Sequence, residues 1–358
     1  MTEAGDPASR RKRDHLRLTL TEDVGFATLR TGLDEVRVRP RALPERDLDE
    51  VDLGIELWGR RLASPLLVSC MTGGVSEAGP VNRALAQAAQ AHRVALGLGS
   101  GRMILDTAAG LDTFRVRDLA PDVLLMANLG AVQLHTYGPA DCARLVAACE
   151  ADVLVLHLNA VQEAIQPGGQ TQFGGVCAKI AEVCAGVEVP VVVKEVGFGM
   201  ASADVASMLD AGVAGVDVAG AGGTNWARIE GLRDDAAGAI AQAFADWGLP
   251  TAESVRQARA VIDAAGSPAV LIGSGGVRHG VDALKVLCLG ADIAGLARGL
   301  LAAGAQGPEA ATRALGVLCD QLRIGAWAAG AGVAADLGPA LLDPCSPPPK
   351  PTAAMGEH

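Results

Sequence analysis

Eight short apolar runs recur along the chain, and none alternates with polar residues. They are ‘PLLVSC’ from Pro65, ‘VALGLG’ from Val94, ‘VLLMAN’ from Val123 and ‘DVLVLHL’ from Asp152, then ‘PVVVKEV’ from Pro190, ‘VAGVDVA’ from Val213, ‘AVLIGS’ from Ala269 and ‘IAGLAR’ from Ile293. Continuous runs of this length are the pattern of parallel strands buried on both faces. The segments between them, such as ‘GPVNRALAQAAQAHR’ and ‘HGVDALKVLCLGA’, are long enough for crossover helices. Eight strand–helix units match a (β/α)8 barrel, or TIM barrel, in number. An open doubly wound sheet would carry a glycine-rich fingerprint after its first strand, and none stands there. The core must be built mainly from Ala, Val and Leu, because half the residues are hydrophobic but only 3% are aromatic. The 45 glycines exceed what turns need and point to close backbone approach.

The expected fold is therefore α/β, a TIM (β/α)8 barrel with an N-terminal extension over residues 16–64 and extra helix between strands six and seven. One domain spans residues 1–343, including an N-terminal arm, and the proline-rich stretch 344–358 reads as a disordered tail. A formal net charge of −11 argues against nucleic acid as a partner. The local exception is ‘RRKRDH’, Arg10 to His15, a run that most often forms a solvated tail. The eight cysteines form no CxxC pair, so buried free thiols in a reducing cytosol are expected. No long apolar segment follows the basic N-terminus, which predicts neither signal peptide nor membrane span and hence a cytoplasmic protein. Apolar barrel helices make a homo-oligomer the expected assembly.

Polar residues at the carboxyl ends of barrel strands read as active site. Here every run ends that way. Strand one leads into Met71, Thr72, Gly73 and Gly74, strand two into Ser100 and Arg102, and strand three ends at Asn128. Strand four ends at His157, Asn159, Gln162 and Glu163, with the last two placed in the loop leaving the strand. Strand five carries Lys194 and Glu195, and strand six carries Asp217 before ‘GAGGTNW’ with Thr224. Strand seven ends in ‘SGGVR’, with Gly275, Gly276 and Arg278, and strand eight in Ala297-Arg298-Gly299. Singly, each has an ordinary reading: Asn128 as a helix cap, Lys194 as a partner of a nearby carboxylate, His157 as a satisfied core histidine. Eight polar ends out of eight are not explained by packing.

The loops after strands six, seven and eight occupy the positions where barrels bind phosphate, with glycines admitting the anion to backbone N–H groups and a helix N-terminus adding its dipole. With Lys194 able to stabilise an anionic reduced ring, a flavin fits this pattern.

Taken together, ‘RKRDHL’, ‘MTGG’, ‘GLGSGR’, ‘ANLG’, ‘LHLNAVQE’, ‘VVVKEVGFGMA’, ‘DVAGAGGTNWARIE’ and ‘SGGVR’ resemble the type 2, FMN-dependent isopentenyl diphosphate isomerases over nearly the whole chain. The resemblance implies FMN, Mg2+, NAD(P)H as reductant, and interconversion of isopentenyl and dimethylallyl diphosphates, with a small-molecule diphosphate as the ligand. It assigns FMN to Met71, Thr72, Gly73, Ser100, Asn128, Lys194, Thr224, Gly275, Gly276, Arg278, Ala297 and Arg298. It assigns the substrate to Arg11, Lys12, Arg102, His157, Asn159 and Gln162, and magnesium to Glu163. Gln162 and Glu230 are the candidates for proton transfer.

The chain departs from the family pattern at Gly101, where glutamine is usual, at Gly168-Gly169-Gln170, where a glutamate, a glycine and an acid are usual, and at Ala219. Two other readings stay open. A different FMN barrel oxidoreductase, such as a 2-hydroxy-acid oxidase, would need a catalytic histidine and a carboxylate-binding arginine near strand six, but ‘GAGGTNW’ contains no histidine. A flavin-binding barrel without turnover would account for the altered loop at 168–170.

Overall fold

Successive residues of a strand face opposite sides, and in a closed barrel both sides are buried, so each apolar run must satisfy two cores at once. The computed structural model, which describes residues 7–107 and 110–343, shows this arrangement. Its barrel strands are β1 (Leu66–Val68), β2 (Ala95–Ser100), β3 (Leu125–Gly130), β4 (Val153–Leu158), β5 (Val191–Glu195), β6 (Gly215–Asp217), β7 (Val270–Gly273) and β8 (Ile293–Leu296). They close in sequence order, with β8 pairing to β1, and every pairing is parallel. All eight expected runs become strands, within two residues at their starts. The proline-rich stretch 344–358 lies outside the described residues.

Residue parity separates two cores. Leu67, Met126, Val153, Val155, Val192, Ile272 and Ile293 pack together inside the barrel. Their neighbours Leu66, Val68, Leu125, Ala127, Leu154, Leu156, Val191, Val193 and Val216 pack outward against the helices. On β2 the inward positions after Ala95 are glycines. A Cβ at Gly97 would come within 2.4 Å of Cys70 Sγ, and one at Gly99 within 2.5 Å of the Thr72 backbone. Their absence lets the segment after β1 lie across β2, where Gly99 N–H donates to Thr72 O at 3.0 Å.

The N-terminal end of the barrel is plugged by an antiparallel hairpin, Ile55–Leu57 with Arg60–Leu62. Leu57 and Leu62 join the inner core. Arg60 and Arg117 hold the two oxygens of Asp152, at 2.7 and 2.8 Å, just before β4. The extra sequence between β6 and β7 forms helices Trp226–Gly231 and Asp235–Gln242. Among the described residues no helix is long and apolar enough to cross a membrane. The thiols are less uniformly buried than expected. Cys142, Cys149 and Cys288 are buried, but Cys177 is exposed, because its helix turns that position outward.

Candidate active site

At the carboxyl end of the barrel the inward parity continues into polar residues. Asn128 follows Met126, His157 follows Val155, Lys194 follows Val192 and Asp217 follows Gly215. His157 pairs in register with Lys194, and Lys194 with Asp217, so these three stand on neighbouring strands at one level. His157 and Lys194 floor a cavity of about 890 Å³ whose walls are the loops at that end, and Asp217 is buried behind Lys194. Lys194 Nζ donates to Glu195 O at 2.7 Å and lies 3.5 Å from Asp217 Oδ2. Asp217 also accepts from Ser274 Oγ at 2.6 Å. Burial, reinforced by the charges of Lys194 and Lys12, pushes the His157 imidazole down to about 4. It is therefore neutral at physiological pH, and its Nδ1 lies 2.8 Å from Asn128 Oδ1.

The phosphate-type loops pack backbone against backbone. Gly275 and Gly276 have φ of 100° and 64°, which favours glycine. A Cβ at Gly275 would lie 2.1 Å from Gly220 O, so the loops after β6 and β7 approach each other as only glycine allows. Ala297 precedes the helix Arg298–Ala305, whose first turn also borders the cavity. Ser69 Oγ, on this floor, is buried and has no hydrogen-bond partner. A buried orphan of this kind is costly unless a ligand satisfies it. A glycine cradle, a helix N-terminus, a lysine and an unpaired hydroxyl together fit a flavin phosphate and ring. The two arginines at this end are placed differently. Arg298 Nη2 donates to Glu22 O at 2.8 Å, and the Arg278 side chain is exposed at the rim.

A further wall is the N-terminal helix, Pro7–Thr21. The basic run is thus helix, not solvated tail. Ala8, Arg11, Lys12, His15, Leu16 and Thr19, one helical face, line the cavity. Lys12 Nζ donates to Gly73 O at 2.8 Å and Ser100 O at 2.9 Å, and sits 5.6 Å from the Phe114 ring centre. Arg102 reaches the same cavity, held by Asp106 at 3.1 Å and by Gln170 Oε1 at 2.9 Å.

Gln162 and Glu163 lie on a short helix, Ala160–Ile165, where a loop was expected. Neighbours on a helix diverge by about 100°, and the two side chains part accordingly. Gln162 Nε2 donates to Glu230 Oε1 at 3.0 Å. Glu163 accepts from Asn159 Nδ2 at 3.0 Å, Gln166 Nε2 at 3.2 Å and Gln170 N at 2.7 Å. Three of its roughly four acceptor sites are filled, which leaves room for one metal bond. Among the described residues no group of three or more His, Cys, Asp or Glu could cage a metal. The site therefore fits a cation held by one carboxylate and completed by water or ligand oxygens. Glu230 stands behind the cavity wall, fully buried, on helix Trp226–Gly231. Asn225 caps that helix by accepting from Arg228 N–H at 3.1 Å.

Comparison with known proteins identifies the family. Residues 170–344 match the FMN-dependent dehydrogenase family model. The chain is 48% identical over 340 residues to isopentenyl-diphosphate delta-isomerase of Synechococcus sp., covering 94% of this chain and 96% of that one. It is also 48% identical to the same-named protein of Xanthobacter autotrophicus, covering 92% and 96%. This chain belongs to the FMN-dependent isopentenyl-diphosphate delta-isomerase family. Among solved structures, a flavocytochrome b2 variant with pyruvate bound superposes with a TM-score of 0.68 at 18% identity, covering 96% of this chain and 86% of that one. A mandelate oxidase variant with a monooxide FMN adduct gives 0.62 at 20%, covering 93% and 98%. At that identity the likeness concerns the fold.

Within this isomerase-family barrel, every residue to which the resemblance assigned FMN, substrate, magnesium or proton transfer lines this cavity, except Glu230. Its departures from the family pattern are accommodated. A Cβ at Gly101 would lie 2.5 Å from Leu145 Cδ1, and one at Gly168 would meet nothing within 4 Å. Gln170 still ties Glu163 to Arg102 through its backbone and side chain. Sequence reasoning missed His15, Trp226 and Arg233. His15 Nε2 lies 2.7 Å from Glu230 Oε1 and its ring meets Trp226 edge-on, with centroids 5.1 Å apart. Its signal was available, since His15 stands four residues after Arg11 on one helical face. Arg233 carried none.

Proposed function

We propose that this protein interconverts isopentenyl and dimethylallyl diphosphate by an allylic proton shift, with reduced FMN and Mg2+ bound and NAD(P)H as reductant. The observation that carries this is the contact between Gln162, in the cavity wall, and the fully buried Glu230, beside Arg11, Lys12 and Arg102. One end of the cavity can thus hold a polyanion while the adjoining wall moves a proton. An acidic protein needs such a local basic wall to hold a diphosphate. Arg11, Lys12 and Arg102 grip and orient it, and Glu163 holds the metal. Glu163 would supply one carboxylate oxygen to Mg2+, whose charge would offset that of the diphosphate. Reduced FMN, when bound, supplies an electron-rich ring that stabilises charge developing on the alkene. Gln162 faces the reacting carbons and connects them to Glu230, which accepts or returns the proton. The neutral His157 offers a hydrogen bond without adding charge. The N-terminal helix and Trp226 exclude water.

Relatives named isopentenyl-diphosphate delta-isomerase support this reading at high coverage. The likeness to flavocytochrome b2 and mandelate oxidase raises hydroxy-acid oxidation as a second reading, but residues 218–226 offer no histidine for it. In solution we expect a homo-oligomer, for which the exposed Val281, Val317 and Ile324 on two packed helices are available. The ligand is a small diphosphate, with no role for nucleic acid or membrane.

An isomerase assay with the flavin kept reduced tests the proposal. Interconversion dependent on FMN and Mg2+ is expected, and its absence under those conditions overturns the reading. Flavin extracted from the purified protein should be FMN, and recovery of FAD would sink the cofactor assignment.

A further inference from the structure

The Glu230 carboxylate meets three side chains. Oε1 accepts from Gln162 Nε2 at 3.0 Å and lies 2.7 Å from His15 Nε2, while Oε2 accepts from Arg233 Nη1 at 2.6 Å. Arg233 is itself largely buried, and its Nε reaches Asp14 Oδ2 at 3.4 Å. Asp14 and His15 are consecutive on the N-terminal helix, which also carries Arg11 and Lys12. The charged and titratable groups facing Glu230 are therefore His15, Arg233 and Arg11, with Asp14 behind Arg233 and Glu163 across Arg11.

A carboxylate buried against Gln162 alone would retain its proton. Burial does push Glu230 upward, but His15, Gln162 and Arg233 outweigh it and hold the group below the usual glutamate range. Arg233 approaches the oxygen opposite the one that Gln162 and His15 use. It can therefore fix the carboxylate's orientation as well as its charge.

We infer that Arg233 is a positioning residue for proton transfer, oriented by Asp14, which keeps Glu230 ionised and turned toward Gln162. Docking of the N-terminal helix completes this arrangement by adding His15 and Asp14. The element that grips the diphosphate thus also arms the base. The inference rests on the isomerase reading only in giving Glu230 a proton to move.

The test is a carbon-13 NMR titration of glutamate-labelled holoenzyme, with the Glu230 carboxyl assigned by its loss in Glu230→Gln. Glu230 should titrate roughly 1–3 pH units higher in Arg233→Met than in wild type. Arg233→Lys should restore most of the difference. The acid limb of kcat should move with the titration while KM for the diphosphate changes little. A purely structural role would lower stability and move neither. An unchanged Glu230 titration in Arg233→Met overturns the inference. If that variant does not fold, an unchanged Glu230 titration in Arg233→Gln overturns it instead. A shifted titration in a protein that does not isomerise would uphold the electrostatic coupling and remove the isomerase reading instead.

Discussion

Glu163 and Lys12 show how the partners of one side chain decide what it can do. Glu163 is held by three donors and keeps one acceptor site. Glu163→Gln preserves the shape but removes the charge that a hard cation needs. Isomerase activity should fall severely, added Mg2+ should recover little, and FMN should still bind. Gln162→Ala should lower turnover with a near-normal magnesium requirement. Retained activity with ordinary metal dependence in Glu163→Gln would place the metal elsewhere. Lys12 presents a different balance. Burial, then the charges of Arg11 and Arg102, pushes its ammonium from 10.5 down to about 7. Between those values the unfolded chain binds more protons at this residue than the folded protein does. The contribution of Lys12 to stability therefore rises with pH across that window. Diphosphate binding runs the other way, because an anion restores the charge. Above about pH 7 binding should take up a proton, and affinity should weaken as pH rises. Calorimetry of pyrophosphate binding to the holoenzyme, in buffers of different ionisation enthalpy, should detect that uptake in wild type and lose it in Lys12→Arg. Absence of uptake in wild type would contradict the role given to Lys12.

The N-terminal helix presents Arg11, Lys12 and His15 together, and its apolar anchorage is slight. Leu18 packs with Val24 and Ile229, and Arg298 holds Glu22 O beyond the helix end. Leu18→Ala removes a buried contact worth about 2–5 kcal/mol where a site cannot collapse. Because few other apolar contacts hold this helix, the loss should appear as local undocking instead of global unfolding. Amide exchange over residues 7–21 should quicken and diphosphate affinity should fall, with the FMN spectrum unchanged. Unaltered exchange with intact affinity would show that the helix is held by other contacts.

Across the whole barrel, stability and chemistry are placed at opposite ends. The hairpin plug closes the N-terminal end with Leu57 and Leu62, while the polar cluster opens at the other. Leu62 is fully buried, so Leu62→Ala should cost about 2–5 kcal/mol and lower Tm. Below that Tm, kcat and FMN affinity should match wild type. A loss of kcat without a loss of Tm would show that the two ends are coupled.

Much of this was legible along the chain. Eight unbroken apolar runs, each ending in polar residues, implied a closed parallel barrel with a mouth at the strand ends, since that pattern needs no knowledge of distant contacts. The basic run at Arg10 to His15 was visible too, but its helical state was not. Ordinary propensity allows a tail there, and packing of Leu18 on Ile229 decides otherwise. Nor could Gln162 and Glu163 be separated by direction until the helix Ala160–Ile165 was seen. Strand parity was likewise hidden, because both faces of a barrel strand are apolar. Only closure of the sheet turned Asn128, His157, Lys194 and Asp217 inward together. The contact of Asp14 with Arg233 joins residues 219 apart in sequence, and no local pattern encodes it. Periodicity and turn chemistry are set by near neighbours, so the sequence alone determined the elements and the end that carries the site. Charge state and orientation inside that site depend on burial and on partners from other elements, which only the tertiary structure brings together.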